Sequence, residues 1–338
     1  MDFIETLTVA DSGKLNQKSD YLVILVGTYN RLEFLKRVLE SLRNGVEVPH
    51  EVIVIDGGST DGTVEYLKSC PDVLPVLQGK LLGPAKAYNE VWRRIDSRYT
   101  CWLSDDTEIV KGAMHEALNI LECNPSIGMV GLKMKDVTKG NPYQGSFSPY
   151  GILNCAHAVL STSLLSSVGY FNEDYPFYMI DPDLTASVLC TGKKVVMTKA
   201  IGVIHHREWI HHDEPSSTKQ QRMADSKRIY MEKFHFLRTA GARSYSARHL
   251  LGRLIYKAIF PDPASRIIRF GGTRRDWRNV LLGRFISPLD SLRYRSQPYH
   301  LCQQIPSRVV MAAKNPYLHL VTQSAPTVTE EPHAKILT

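Results

Sequence analysis

Between Tyr21 and Asp106, short apolar runs alternate with amphipathic stretches, and each run stops at a cluster of polar residues. YLVILVGTYN suits a buried strand of a parallel sheet. RLEFLKRVLESLRN then sets Leu32, Leu35, Val38, Leu39 and Leu42 at helical spacing. EVIVIDGG reads as a second strand and STDGTVEYLKSC as a helix capped by Ser59 or Thr60. VLPVLQG is a weaker strand, GPAKAYNEVWRRID a helix opened by Gly83-Pro84, and YTCWLSDD a fourth strand. The alternation predicts an α/β fold, a Rossmann-like and mostly parallel sheet flanked by helices. Ligands of such sheets lie beyond the carboxyl ends of the strands. Thr28–Arg31, Asp56–Thr63 and Ser104–Thr107 all fall there.

Beyond Met114 the pattern predicts a helix to about Cys123, a strand at SIGMVGLKM and a Gly-, Pro-, Ser- and Tyr-rich loop over 136–152. Two helix-containing stretches follow, the second closed by Gly192, and AIGVIHH is a last strand. The expected organisation is a leader over 1–20, a domain over 21–212 with halves meeting near 113, a basic helical extension over 213–314 and a flexible tail over 315–338. Six scattered cysteines without a CxxC pair read as reduced thiols of a cytoplasmic protein. No run of about 18 apolar residues occurs, which excludes a membrane-spanning helix.

Residues 219–314 carry 20 Lys and Arg against 5 Asp and Glu, a net +15, in a chain whose formal charge is +7. The plain interpretation is a solvated helical face packed on the main domain. The functional one is a basic surface for an anionic membrane or a phosphorylated acceptor, which would place the protein peripherally at the inner face of the membrane. The aromatics of this stretch form no nucleic-acid-reading motif, so nucleic acid is excluded as a partner.

Asp105-Asp106 ends an apolar strand, where hard oxygen ligands beside a diphosphate suit Mg²⁺ or Mn²⁺. The alternative is an N-cap for the helix starting near Val110. Asp56, before Gly57-Gly58, is placed either to accept hydrogen bonds from a base or ribose or to make an ordinary turn. Lys86 and Asn89 share a face of the helix after Gly83, where a lysine can neutralise diphosphate charge or stand plainly exposed. His157, in NCAHAV, reads as a core histidine, with a place facing the acceptor side as the alternative, and Trp92 and Trp102 read as core rather than sugar platforms.

In order and spacing, GTYNR (27–31), DGGSTDGT (56–63), GPAKAYN (83–89) and LSDDTEI (103–109) resemble the family-2 inverting glycosyltransferases of the GT-A fold, a nucleotide-binding α/β fold. GYFNEDYPFYMIDPDL (169–184) and AIGVIHH (200–206) resemble that family's acceptor-side acidic motif and closing histidine. The resemblance covers roughly residues 20–207. It implies transfer of a sugar from a nucleotide-sugar donor, a UDP-sugar by family frequency, to a glycan or lipid-linked acceptor, with Mn²⁺ or Mg²⁺ as cofactor. By position, Thr28, Tyr29, Arg31, Asp56, Gly83, Lys86, Asn89 and Asp105 fall to the donor. Asp106 and His205, the latter favoured over His206, fall to the metal. Asp181 falls to the general base, with Asp183 as a rival that more simply caps the following helix. Two positions depart from the pattern: Ser104 stands where the family often has aspartate, and Tyr88 where it often has arginine. The competing functions are a nucleotidyltransferase, for which Thr28–Arg31 is a poor phosphate loop, and a non-catalytic partner of a synthase.

Overall fold

The computed structural model describes residues 7–8, 15, 20–137, 142–143, 146–206, 216–240 and 297–323. Strands β1 (Leu7–Thr8), β2 (Leu22–Thr28), β3 (His50–Asp56), β4 (Val73–Leu77) and β5 (Tyr99–Ser104) lie in the order β1-β4-β3-β2-β5, each pair parallel. Helices α1 (Leu32–Gly45), α2 (Thr63–Lys68) and α3 (Pro84–Trp92) are the crossovers. From Leu22 on, this half agrees with the sequence expectation; β1 falls inside the stretch expected to be a leader and instead pairs with β4.

The second half is mixed. It contains β6 (Thr107–Ile109), α4 (Ala113–Cys123), β7 (Ile127–Asp136), β8 (Pro142–Tyr143), β9 (Ser146–Ser148), β10 (Ile152–Asn154), β11 (Ala158–Ser161), α5 (Thr162–Ser167), α6 (Ile180–Cys190) and β12 (Lys194–His205). Past β12 come α7 (Ser216–Lys233), α8 (His235–Ala240), β13 (Tyr299–Gln303), α9 (Ser307–Val310) and α10 (Leu318–Gln323). The sheet continues β5-β11-β7-β12-β13. β11 runs antiparallel to both β5 and β7, whereas β12 is parallel to β7. β8 and β9 fall inside the stretch expected to be a loop, and β10 starts at its last residue.

The pleat sorts side chains onto two cores. In β2, Leu22, Ile24 and Val26 face the layer of α1 and α4, while Val23 and Leu25 face that of α3 and α6. Each fully buried Leu of α1 (Leu35, Leu39, Leu42) contributes about 2 kcal/mol by leaving water. Trp92 and Trp102 are core residues, packed edge-on against Phe171 at 4.8 and 5.5 Å between centroids.

Two expectations are corrected. Helix α2 starts at Thr63, and its Thr63 N–H is taken by Asp61 (3.2 Å), not by Ser59 or Thr60. Ser59 and Thr60 instead bond Asn30, which fastens the loop after β3 to the loop after β2. Second, the tail expected from 315 is packed at its start, since Asn315 donates to the carbonyls of Cys190 and Val310. The described part of the basic extension packs on the main domain, the plain interpretation of its sequence: Tyr230, Phe234 and Leu237, at i, i+4 and i+7, are fully buried in the core shared with α3 and α6. Most of the basic stretch, 241–296, lies outside the described residues. Among the described residues no helix is long and apolar enough to cross a membrane.

Candidate active site

The carboxyl ends of β2, β3 and β5 lie side by side, with Thr28 in register with Asp56 and Gly27 with both Ile55 and Ser104. Asp105 and Asp106 follow directly. Neither caps a helix, because α4 begins only at Ala113 behind a left-handed Gly112.

Asp105 is turned inward. Its carboxylate accepts from Thr28 Oγ1 (2.9 Å), from the Tyr29 backbone N–H and from Arg31 (2.7 Å). Burial nevertheless pushes its pKa up to about 6, with Arg31 and Thr28 opposing and the neighbouring Asp106 adding to the rise. Asp106 goes the other way. Burial acts to raise it, but the His205 imidazole, Ser104 Oγ (2.6 Å) and Arg31 together hold it well below the usual carboxylate range. Ser104, the departure from the family pattern, is thus the hydroxyl that orients Asp106. Arg31 lies across both carboxylates, 2.7 Å from Asp105 and 3.6 Å from Asp106, with its guanidinium over the Phe34 ring. The sequence placed Arg31 on the nucleotide; the structure makes it the internal counter-ion of the acidic pair.

The choice between the histidines falls to sheet register. β12 pairs antiparallel with β6, His205 opposite Thr107, and the His206 N–H donates to the Asp106 carbonyl. Three register irregularities interrupt the pairing of β12 with β7 before β12 also meets β6. His205 Nε2 then faces Asp106 Oδ2 at 3.4 Å, while His206 goes to Glu108. His205 Nδ1 is buried with no partner among the described residues. Asp106 and His205 fit two corners of a divalent metal's shell; among the described residues no third His, Cys, Asp or Glu completes a group with them. The remaining ligands would come from diphosphate and water.

Asp56 is 1% exposed; its Oδ2 accepts from the N–H groups of Gly58 and Ser59 (2.9 and 3.0 Å). Its Oδ1 is buried and has no partner among the described residues, a defect that costs about 1–3 kcal/mol until a donor group arrives. The loop above it is tight. A Cβ on Gly58 (φ +90°) would stand 2.7 Å from the Gly79 carbonyl. Gly58→Ala is therefore expected to destabilise the protein by about 2 kcal/mol or more, read as a lower thermal midpoint. Tyr29 is half-buried beside Gly57, and Gly83 takes a positive φ (83°) as the cap of α3.

Two predicted donor residues are not gathered into this cluster. Asn89 is fully buried, and its carboxamide is used up on Phe171 N–H and carbonyl and on Glu173 (3.1, 2.8 and 2.8 Å). It holds the 171–173 loop rather than facing a ligand. Lys86 is exposed on α3. Tyr88, in place of the family's arginine, is a buried tie between strand ends: its hydroxyl donates to Leu103 carbonyl (2.6 Å) and accepts from Gly27 N–H (2.9 Å).

On the acceptor side, Asp181 lies in the first turn of α6, half-buried, behind Met179 in a left-handed conformation (φ 74°). Burial pushes its pKa up to about 6 against a hydrogen bond from Asn154. Asp183 is not its equivalent and caps nothing. It is 1% exposed and bound to Lys233 (2.7 Å), Tyr175 (2.8 Å) and Ser187 (3.3 Å). Residues 154–157 link the two sides. Asn154 holds Asp181, and three residues on, a span of about 10 Å at most, the His157 ring stands 6.5 Å from that of His205. Burial, helped by His205, lowers the His157 pKa to about 4, and Nδ1 donates to the Trp102 carbonyl (3.3 Å). His157 is thus buried, as a core histidine would be, and also stands between the halves of the site, beside His205.

A parallel sheet whose strand ends gather acidic groups, joined to a mixed half that brings a second carboxylate, defines a GT-A fold. Residues 23–162 match the model of glycosyl transferase family 2. The chain is 24% identical over 246 residues to the N-acetylglucosaminyl-diphospho-decaprenol L-rhamnosyltransferase of Mycobacterium tuberculosis, covering 59% of this chain and 80% of that one. It is also 24% identical over 162 residues to an uncharacterized glycosyltransferase of Rickettsia bellii, over 45% of this chain and 23% of that one. The crystal structure of S. aureus TarS 1-349 in complex with UDP-GlcNAc superposes with a TM-score of 0.50 at 17% identity, over 73% of this chain and 84% of that one.

Proposed function

We propose that this chain is an inverting glycosyltransferase that moves a sugar from a nucleoside diphosphate donor to a hydroxyl of a lipid-linked or glycan acceptor in cell-surface polysaccharide synthesis. The observation that carries this reading is a pair of carboxylates at the carboxyl ends of β3 and β5 with a third on α6. Asp56 offers a buried, unpartnered oxygen to a base or ribose donor. Asp106 stays ionised beside His205. Asp181, poised near pH 6, sits on the helix facing the acceptor half. Asp106 held ionised and Asp181 shifted upward suit two different tasks.

Asp181 would take the proton of the acceptor hydroxyl while its oxygen bonds to the anomeric carbon, as the bond to the diphosphate breaks on the opposite face. Asp106 and His205 would hold the cation, which when bound offsets the charge of the leaving diphosphate. A carboxylate–imidazole pair favours Mn²⁺ over Mg²⁺, which prefers oxygen alone. The acceptor class is supported by the mycobacterial relative, whose name gives a diphospho-decaprenol substrate.

A thermal-shift panel of UDP-, GDP- and dTDP-sugars, with and without Mn²⁺, tests the donor site. One nucleotide family should stabilise the protein, and more strongly with Mn²⁺. Stabilisation by none in either condition would sink the reading.

A further inference from the structure

Both walls around Asp181 are pinned by chain that lies beyond the family match. On the side of α6, Lys233 of α7 makes a 2.7 Å ion pair with Asp183, two residues from Asp181 and 1% exposed. Tyr317 exchanges a 2.7 Å hydrogen bond with Ser187, and Asn315 donates to the Cys190 carbonyl that ends the helix. The Lys233 ammonium also lies 5.1 Å from the Phe234 ring centroid and 5.6 Å from that of Tyr317. On the opposite wall, fully buried Gln303 of β13 accepts from Leu153 N–H (2.7 Å), the residue before Asn154, which bonds Asp181. Ser148, on the strand paired with β10, meets Tyr230 of α7 at 3.0 Å.

A surface extension would not be wired this way. Buried polar groups are costly unless matched, so five such ties converging on one carboxylate's supports specify a geometry rather than simply add stability. Resting on the reading of Asp181 as base, we infer that residues 216–240 and 297–323 are the positioning scaffold of that base, with Lys233 as its central positioning residue. The hydrogen bonds and the ion pair named above all reach the acceptor side and none reaches β2, β3 or β5, so donor binding is expected to change little.

The test uses the full chain. Lys233→Met alone strands a buried carboxylate, so the informative variant is Asp183→Asn with Lys233→Met, which removes both charges together. Donor affinity, measured by nucleotide-sugar titration, should stay within about twofold while kcat for transfer falls about tenfold or more, and Lys233→Arg should recover most of it. A smaller fall in kcat, or an equal loss of donor affinity, overturns the scaffold. If the double variant does not fold, Tyr317→Phe carries the same test with an expected fall of about threefold or more, and an unchanged kcat overturns the idea. Asp181→Asn, assayed in parallel, separates the two levels. If it retains transfer, the base assignment and the scaffold fall together; if it is inactive while the scaffold variants are normal, the scaffold alone falls.

Discussion

Asp181→Asn is expected to bind nucleotide sugar as the wild type does and to lose sugar transfer by about 10²–10⁴-fold, the usual contribution of a positioned general base. The asparagine keeps the shape and the hydrogen bond to Asn154 but has no lone pair basic enough to take the hydroxyl proton. The wild-type pH profile should carry the same group's signature. Because burial raises the Asp181 pKa to about 6, the basic form is the minority below that pH. Transfer should therefore rise about tenfold per pH unit up to about 6 and level off above it. A rate indifferent to pH between 4.5 and 7, or an active Asp181→Asn, would move the base elsewhere.

The second large effect is expected at Arg31. Its guanidinium is the cation that Asp105 and Asp106 share, and its side chain is only 18% exposed. Arg31→Met leaves two adjacent carboxylates facing each other in a desolvated site, at a cost of about 3 kcal/mol. The pH dependence has an unusual sign. Asp105 already has a folded-state pKa raised to about 6, above its unfolded value, so its ionised form weakens the fold at neutral pH and the penalty is relieved as pH falls through that value. Without Arg31 the rise is larger. The variant's stability deficit should accordingly be greatest near pH 8 and shrink by pH 5. Asp106 moves oppositely: its depressed pKa supplies stability above the ordinary carboxylate range that is lost only in stronger acid. Mn²⁺ should raise the thermal midpoint of Arg31→Met more than that of the wild type, since the added cation replaces the missing charge. A deficit that grows on acidification would show that Arg31 is not balancing the pair.

The donor half was legible in the sequence because its rules are local. Period-2 burial in β2, the apolar stripe of α1 and the polar residues closing β2, β3 and β5 follow from strand and helix periodicity alone, and the loops at those ends had to meet once the strands were parallel. Asp56, Asp105 and Asp106 were therefore found at the sheet edge by counting along the chain. Partner choice was not local. Spacing put Asn89 on the face of Lys86, but the rotation of α3 is set by packing against Phe171, and that turned Asn89 inward. Asp183 looked like a helix cap, yet its partner Lys233 is 50 residues away.

What the sequence determined by itself is the α/β order, the strand-end clusters and the carboxylates in them, because hydrophobic periodicity and turn chemistry act over a few residues. The tertiary structure decided which of two adjacent histidines meets Asp106, since a one-residue change of strand register exchanges the faces of the sheet. It also decided that Arg31 pairs with both carboxylates, and that Lys233 and Tyr317 of the described C-terminal residues meet Asp183 and Ser187 of α6. Those outcomes depend on long-range packing and on charges finding partners in a low-dielectric interior, which no local pattern encodes.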